Sequence, residues 1–151
     1  SETVILYLDG GLSIGDGSKI RLVSGSKLII YAHGSVAMSG NSTDPLIEQA
    51  TATAASGNIQ LYVYPPPSTP PTPPHNVQIN GGAETRMVLF APESEVTFTS
   101  STAVKGMIWA KSWNGSQNAA ITENKPKLLD LKLVPPPRIS PIISWERVSN
   151  P

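Results

Sequence analysis

Glu93 and Glu95 stand two positions apart in APESEVTFT, a spacing that puts both carboxylates on one side of a strand. Glycosidic bond hydrolysis needs such a pair, with the two groups about 5–9 Å apart across a cleft. No Arg, Lys or aromatic platform accompanies them in sequence, and the simpler reading is two solvated side chains at a corner. Asp9 and Asp16 could stack from neighbouring faces, yet their DGG and DGS contexts are those of turns. A calcium loop would show a denser Asp/Asn-Gly repeat. His33 and His75 are isolated, with no partner at i+2 or i+4 to complete a metal site. Neither has a recognisable nucleophile beside it. Asn41-Ser42-Thr43 and Asn114-Gly115-Ser116 spell glycosylation acceptors, but in this composition they read as turns. With no cysteine present, disulfides and thiolate metal sites are excluded. No catalytic residue, metal site or cofactor is therefore expected.

The aromatic residues carry a clearer pattern. Three triplets of aliphatic, aromatic and alanine recur: Ile30-Tyr31-Ala32, Leu89-Phe90-Ala91 and Ile108-Trp109-Ala110. In a strand the alanine would face inward near a tight corner, where a larger side chain overpacks, and the aromatic would face outward. Tyr31, Phe90 and Trp109, with Trp113 beyond, would then form an exposed aromatic ladder. Such a ladder could stack on sugar rings or bury against another subunit.

The elements that would hold these residues are short strands. Leu12/Ile14, Ile20/Leu22, Leu28/Ile30 and Val36/Met38 form apolar pairs at a constant interval of eight. Each pair supplies two inward residues of one strand, and GDGS, SGS or HGS supplies the turn that follows. Repetition at a fixed period favours a solenoid over a hairpin meander. The step from the second triplet to the third, Leu89 to Ile108, suits one coil built from two or three short faces. Asp44-Pro45 followed by LIEQATATAAS and Gly57 carries the cap, first-turn and stop signals of a weak short helix, or of an irregular excursion from the coil. NIQLYVY (58–64) reads as a strand with Ile59, Leu61 and Val63 on one face. HNVQING (75–81) and KPKLLDLKLV (125–134) read as further strands. Before them, PPPSTPPTPPHN (65–76) favours an extended polyproline loop.

Composition agrees with an all-β chain. The 151 residues suit one domain, the formal charge is zero, and 15% of residues are charged against a typical ~25%. A balanced charge argues against nucleic acid or an anionic membrane surface as the main partner. Polarity is carried by 18 Ser and 11 Thr, residues that tolerate strands and turns better than helix interiors. No stretch approaches the ~20 apolar residues of a membrane span, and Ser1-Glu2-Thr3 does not begin a signal peptide. The expectation is a chain soluble as it stands, or one from which a leader or anchor was removed.

The run GNIQLYVYPPP…HNVQINGG…MVLFAPESEVTFTSSTAVKGMIWAKSW resembles the C-terminal solenoid domain of PilX-like type IV pilus assembly proteins and related pseudopilins of the bacterial envelope. Leu89-Phe90-Ala91-Pro92 and Gly106-Met107-Ile108-Trp109-Ala110 fit that family's recurring motifs, and the likeness covers about residues 10–120. It implies an all-β, single-domain, parallel right-handed β-solenoid at the cell surface or in the periplasm, normally carried behind a hydrophobic pilin-like helix. It offers no catalytic residues. The expected organisation is a solenoid over 1–134, with the proline-rich loop 65–76 inserted, and a proline-rich C-terminal tail over 135–151. The tail's Ile139, Ile142, Ile143, Trp145 and Val148 are candidate subunit contacts, because an apolar tail folds back or packs on a neighbour. The expected role is a non-enzymatic structural and display module of an extracellular pilus or surface filament. Its partners would be copies of itself or other pilin-like subunits. The alternative is a surface adhesin that binds glycan through the aromatic ladder.

Overall fold

The computed structural model describes residues 2–15, 18–39, 47–49, 58–65, 75–80, 84–99, 103–115 and 120–122. Among these the chain forms eleven β-strands, and every strand pairing is parallel. A first face stacks β1 (Thr3–Leu8), β4 (Lys27–Ala32), β7 (Ile59–Val63), the first half of β9 (Glu84–Thr99), the first half of β10 (Ala103–Gly115) and β11 (Ala120–Thr122). A second face stacks β2 (Leu12–Ile14), β5 (Val36–Ser39), β8 (Asn76–Asn80) and the later halves of β9 and β10. A third holds β3 (Ile20–Leu22) on β6 (Ile47–Gln49). Adjacent parallel strands joined by returning connections make this a parallel β-solenoid.

The interval of eight is one face of a three-sided coil. Thr3 pairs with Lys27 and Leu12 with Val36, each partner three such intervals further along the chain. Later coils change length. The step from Leu28 to its partner Ile59 is longer, whereas those from Leu89 to Ile108 and from Ala103 to Ala120 are shorter. Only residues 100–102 separate β9 from β10. β9 and β10 also run through the corner between faces as continuous strands.

Inward residues of successive coils lie in register. Leu6, Ile30, Leu61, Leu89 and Ile108 form one column. Leu12, Val36, Val77 and Val96 form another, and Ile14, Met38, Ile79 and Phe98 a third. Most of these side chains join one continuous buried core. Ala32 and Ala91 are fully buried beside the corner, but Val63, also fully buried, takes the same place in the coil between them, so the position is not restricted to alanine as the overpacking argument expects.

The corners stack as closely as the strands. His33 N–H donates to the Leu8 carbonyl at 3.0 Å, Leu12 N–H to Ser35 at 3.1 Å and Tyr64 N–H to Ala32 at 2.9 Å, so the coil-to-coil ladder continues through the bends. Gly11 and Gly34 allow this approach. A Cβ on Gly34 would lie 2.6 Å from Gly11 N, and one on Gly11 would run into the Ser35 carbonyl oxygen. Between β3 and β4, Ser26 N–H closes a turn on the Val23 carbonyl at 3.2 Å, with Gly25 at φ 77°, a conformation that favours glycine.

The reading of the segment after Asp44-Pro45 as a weak helix or excursion fails where the structure describes it. Ile47–Gln49, inside the segment read as a weak helix or excursion, is a strand. Pairing decides it: Ile47 and Gln49 stand beside Ile20 and Leu22, and Glu48 beside Arg21, so tertiary contact overrides the Ala/Thr-rich local preference. The proline run 66–74, the strand expected at 125–134 and the tail 135–151 lie outside the described residues. No helix among the described residues is long and apolar enough to cross a membrane.

Candidate functional site

Outward-facing residues of the first face also align, and the row they form is aromatic. Tyr7 pairs with Tyr31, Tyr31 with Tyr62, Tyr62 with Phe90 and Phe90 with Trp109, one ring from each of five coils. Ring centroids are 5.1, 5.0, 5.9 and 5.6 Å apart in that order. The first two pairs stack nearly flat, with interplanar angles of 8° and 20°; the last two are tilted at 49° and 53°. Parallel strand spacing of about 4.8 Å delivers rings at the separation that aromatic pairs prefer. Tyr64 lies alongside, 6.4 Å from the Tyr62 ring and 6.2 Å from Phe90.

The row is therefore a second, outer hydrophobic cluster. Ile29, Tyr31 and Tyr62 are buried in it, with Tyr64 and Phe90 packed against them. Gln60, also buried, takes a hydrogen bond from the Tyr62 hydroxyl to its Oε1 at 2.9 Å. Burial, reinforced by the neighbouring Tyr31 and Tyr64 phenols, pushes the Tyr62 phenol from 10.0 up to about 12. Burial also raises Tyr31, with Tyr7 adding to it, and Tyr64, with Tyr31 adding to it. All three phenols therefore keep their protons near neutral pH and are hydrogen-bond donors there.

The structure brings Tyr31, Phe90 and Trp109 together but corrects their exposure. Tyr31 is only 3% exposed and Phe90 is half-buried, because ring faces cover one another and Tyr64 packs beside them; Trp109, at the end of the row, is 58% exposed. Trp113 does not join the row. It pairs with Val96 and so continues the inward column of Leu12, Val36 and Val77 on the second face, where it is 61% exposed on the last described coil of that face. The register slip between Ala110 and Ser112 places it there. Ile139, Ile142, Ile143, Trp145 and Val148 lie outside the described residues. Tyr7 and Tyr62 are members that the triplet rule misses, since Leu8 and Val63 replace alanine after them.

Glu93 and Glu95 are exposed, with Ser94 buried between them at the corner. Gly11-Leu12-Ser13-Ile14-Gly15 spells G-x-S-x-G, against the expectation that no such serine motif occurs. Ser13 lies exposed in the middle of β2, however, and not on the strand-to-helix elbow that makes such a serine a nucleophile. Among the described residues no three His, Asp or Glu side chains converge as metal ligands.

A family model described as a domain of unknown function, DUF7305, matches residues 1–127. The chain belongs to that family. The DUF7305 match spans every strand from β1 to β11, and so the whole of the aromatic row. No curated protein and no solved structure matches the chain.

Proposed function

We propose that this DUF7305 chain is a non-enzymatic structural and display module of a bacterial pilus or surface filament. It works outside the cell by packing against copies of itself or other pilin-like subunits, with its corners and loops turned outward. The observation that supports this reading is the five-ring row. Its middle rings, which a ligand-binding surface would present to solvent, are buried between successive coils and tie them together instead. Among the described strands, pairing joins each coil to its neighbours, so rigidity accumulates along the stack. The winding is right-handed in this proposal, the hand that parallel crossovers adopt almost without exception. The likeness to PilX-like solenoid domains points the same way. The glycan-binding alternative finds less support, because the middle of the row has little surface to offer a sugar.

Electron microscopy of native surface material, labelled with gold-coupled antibody to this chain, tests the reading. Gold along filaments is the expected result. Gold confined to dispersed particles, with filaments unlabelled, contradicts it. Removing residues 135–151 is expected to weaken assembly while leaving the coil folded, and unimpaired assembly would remove the tail from the proposed contacts.

A further inference from the structure

β1 is the open end of the stack. Val4, Ile5, Leu6 and Tyr7 are between 42% and 56% exposed, whereas Leu28, Ile29, Ile30 and Tyr31, their partners one coil on, are between 3% and 7%. Inward residues are as open as outward ones, since Val4 and Leu6 head core columns and Ile5 and Tyr7 lie on the outer side. Backbone groups at this edge have a fixed direction. Lys27 N–H donates to the Glu2 carbonyl at 2.8 Å and His33 N–H to the Leu8 carbonyl at 3.0 Å. Successive residues of a strand turn these groups to opposite sides. Glu2, Val4, Leu6 and Leu8 therefore face β4, and Thr3, Ile5 and Tyr7 hold N–H and C=O toward the open side. An apolar edge of this length is a template for strand addition.

A second copy of the same edge fits it. If the two run antiparallel about a two-fold axis through Leu6, Leu6 meets its own copy, Val4 meets Leu8 and Ile5 meets Tyr7. Inward residues fall on inward ones and outward on outward. Ile5 and Tyr7 both face the edge, so each such pair exchanges two hydrogen bonds, and Leu6 takes the non-bonded position that its direction requires. Asp9 comes opposite Thr3 and Glu2 opposite Gly10, so no carboxylate faces another. Moving the axis to Ile5 also suits the backbone, but it sets Glu2 against Leu8. The three faces of the first coil share the interval of eight, so the same axis lays β2 of one copy against β3 of the other, again antiparallel.

We propose that two copies of this chain join end to end through β1, antiparallel about a two-fold axis at Leu6. The contact is isologous and closes as a dimer. It names one surface for the self-packing proposed above, and its test is separate from that of the filament.

Sedimentation of the 151-residue chain across a wide concentration range, with single cysteines placed in it, tests the pairing. The parent should pass from monomer to dimer. Ile5→Pro removes an N–H that points away from β4, at an edge position where proline is tolerated; it should keep the parent's circular dichroism and weaken dimerisation roughly tenfold or more. Leu6→Cys puts two thiols on the axis, with Cα atoms about 4.5 Å apart, and should oxidise to a covalent dimer. Val4→Cys, equally exposed, lies roughly 14 Å from its copy and should not. Should Ile5→Pro misfold, the two cysteine variants decide alone. Equal crosslinking of the two, dimers that a folded Ile5→Pro leaves intact, or a parent monomeric throughout would overturn the pairing. If gold labels native filaments while the parent stays monomeric, only the pairing fails; if Leu6→Cys crosslinks while filaments stay unlabelled, only the filament reading fails.

Discussion

Replacing Tyr62 with alanine removes the central ring of the row, and the cost can be worked from its surroundings. The ring is buried and lies against Tyr31, Phe90 and Tyr64, and deletion of a buried aromatic costs about 3–5 kcal/mol. It also takes the hydroxyl donor away from the buried Gln60 Oε1, a loss of about 1–3 kcal/mol that partial relaxation shares with the first term. A total of about 4–8 kcal/mol follows, toward the lower end where the site relaxes, a large part of the ~5–15 kcal/mol that holds a domain folded. Tyr62→Phe keeps the ring and should cost only about 1–2 kcal/mol, the loss of that hydrogen bond alone. Tyr7→Ala, made at the half-exposed end, should cost about 1 kcal/mol. Urea denaturation of the three variants and the parent measures these differences, provided the slopes agree. The reasoning fails if Tyr62→Ala and Tyr7→Ala destabilise equally, because a row that binds the coils together must be worth more at its centre than at its end.

Two further outcomes follow from local geometry and charge. Gly34→Ala should lower stability by about 1–3 kcal/mol, since the added methyl meets the backbone of Gly11 rather than a movable side chain, whereas Gly10→Ala, with open space around it, should cost less than about 1 kcal/mol; melting temperatures of the pair check this. Stability should also fall in alkali: the raised Tyr62 phenol binds its proton more tightly folded than unfolded, so its contribution is intact below pH 10 and is lost as pH climbs through about 12. Denaturation midpoints from pH 8 upward, with tyrosinate absorbance followed in parallel, check the sign.

The solenoid is legible in the sequence because its signal is local. An inward pair every eight residues needs only the two-residue strand period and a turn, and Val4/Leu6, which a series beginning at Leu12 leaves out, belongs to it as well. What escapes depends on contacts between coils. The triplet rule demands alanine after the aromatic, so Leu6-Tyr7-Leu8 and Leu61-Tyr62-Val63 are invisible to it, although the corner accepts any modest aliphatic there. Burial of Tyr31 cannot be read from its own strand, because its cover comes from Tyr7 and Tyr62 in the coils on either side. Ile47–Gln49 carries no strong strand preference and takes its conformation from β3. The proximity of Gly11 to Gly34 likewise exists only once the coil has closed through its three faces.

Because the chain has no cysteine, paired cysteines can report its register directly. Ser13 and Ala37 are exposed partners on β2 and β5, with Cα atoms about 4.8 Å apart in a parallel ladder, inside the range a disulfide spans. A Ser13→Cys/Ala37→Cys chain should crosslink under mild oxidation, whereas Ser13→Cys/Ser39→Cys, two positions out of step and roughly 8 Å apart, should not. Equal crosslinking of the two, or oxidation of the second alone, would mean that neighbouring turns do not align residue for residue.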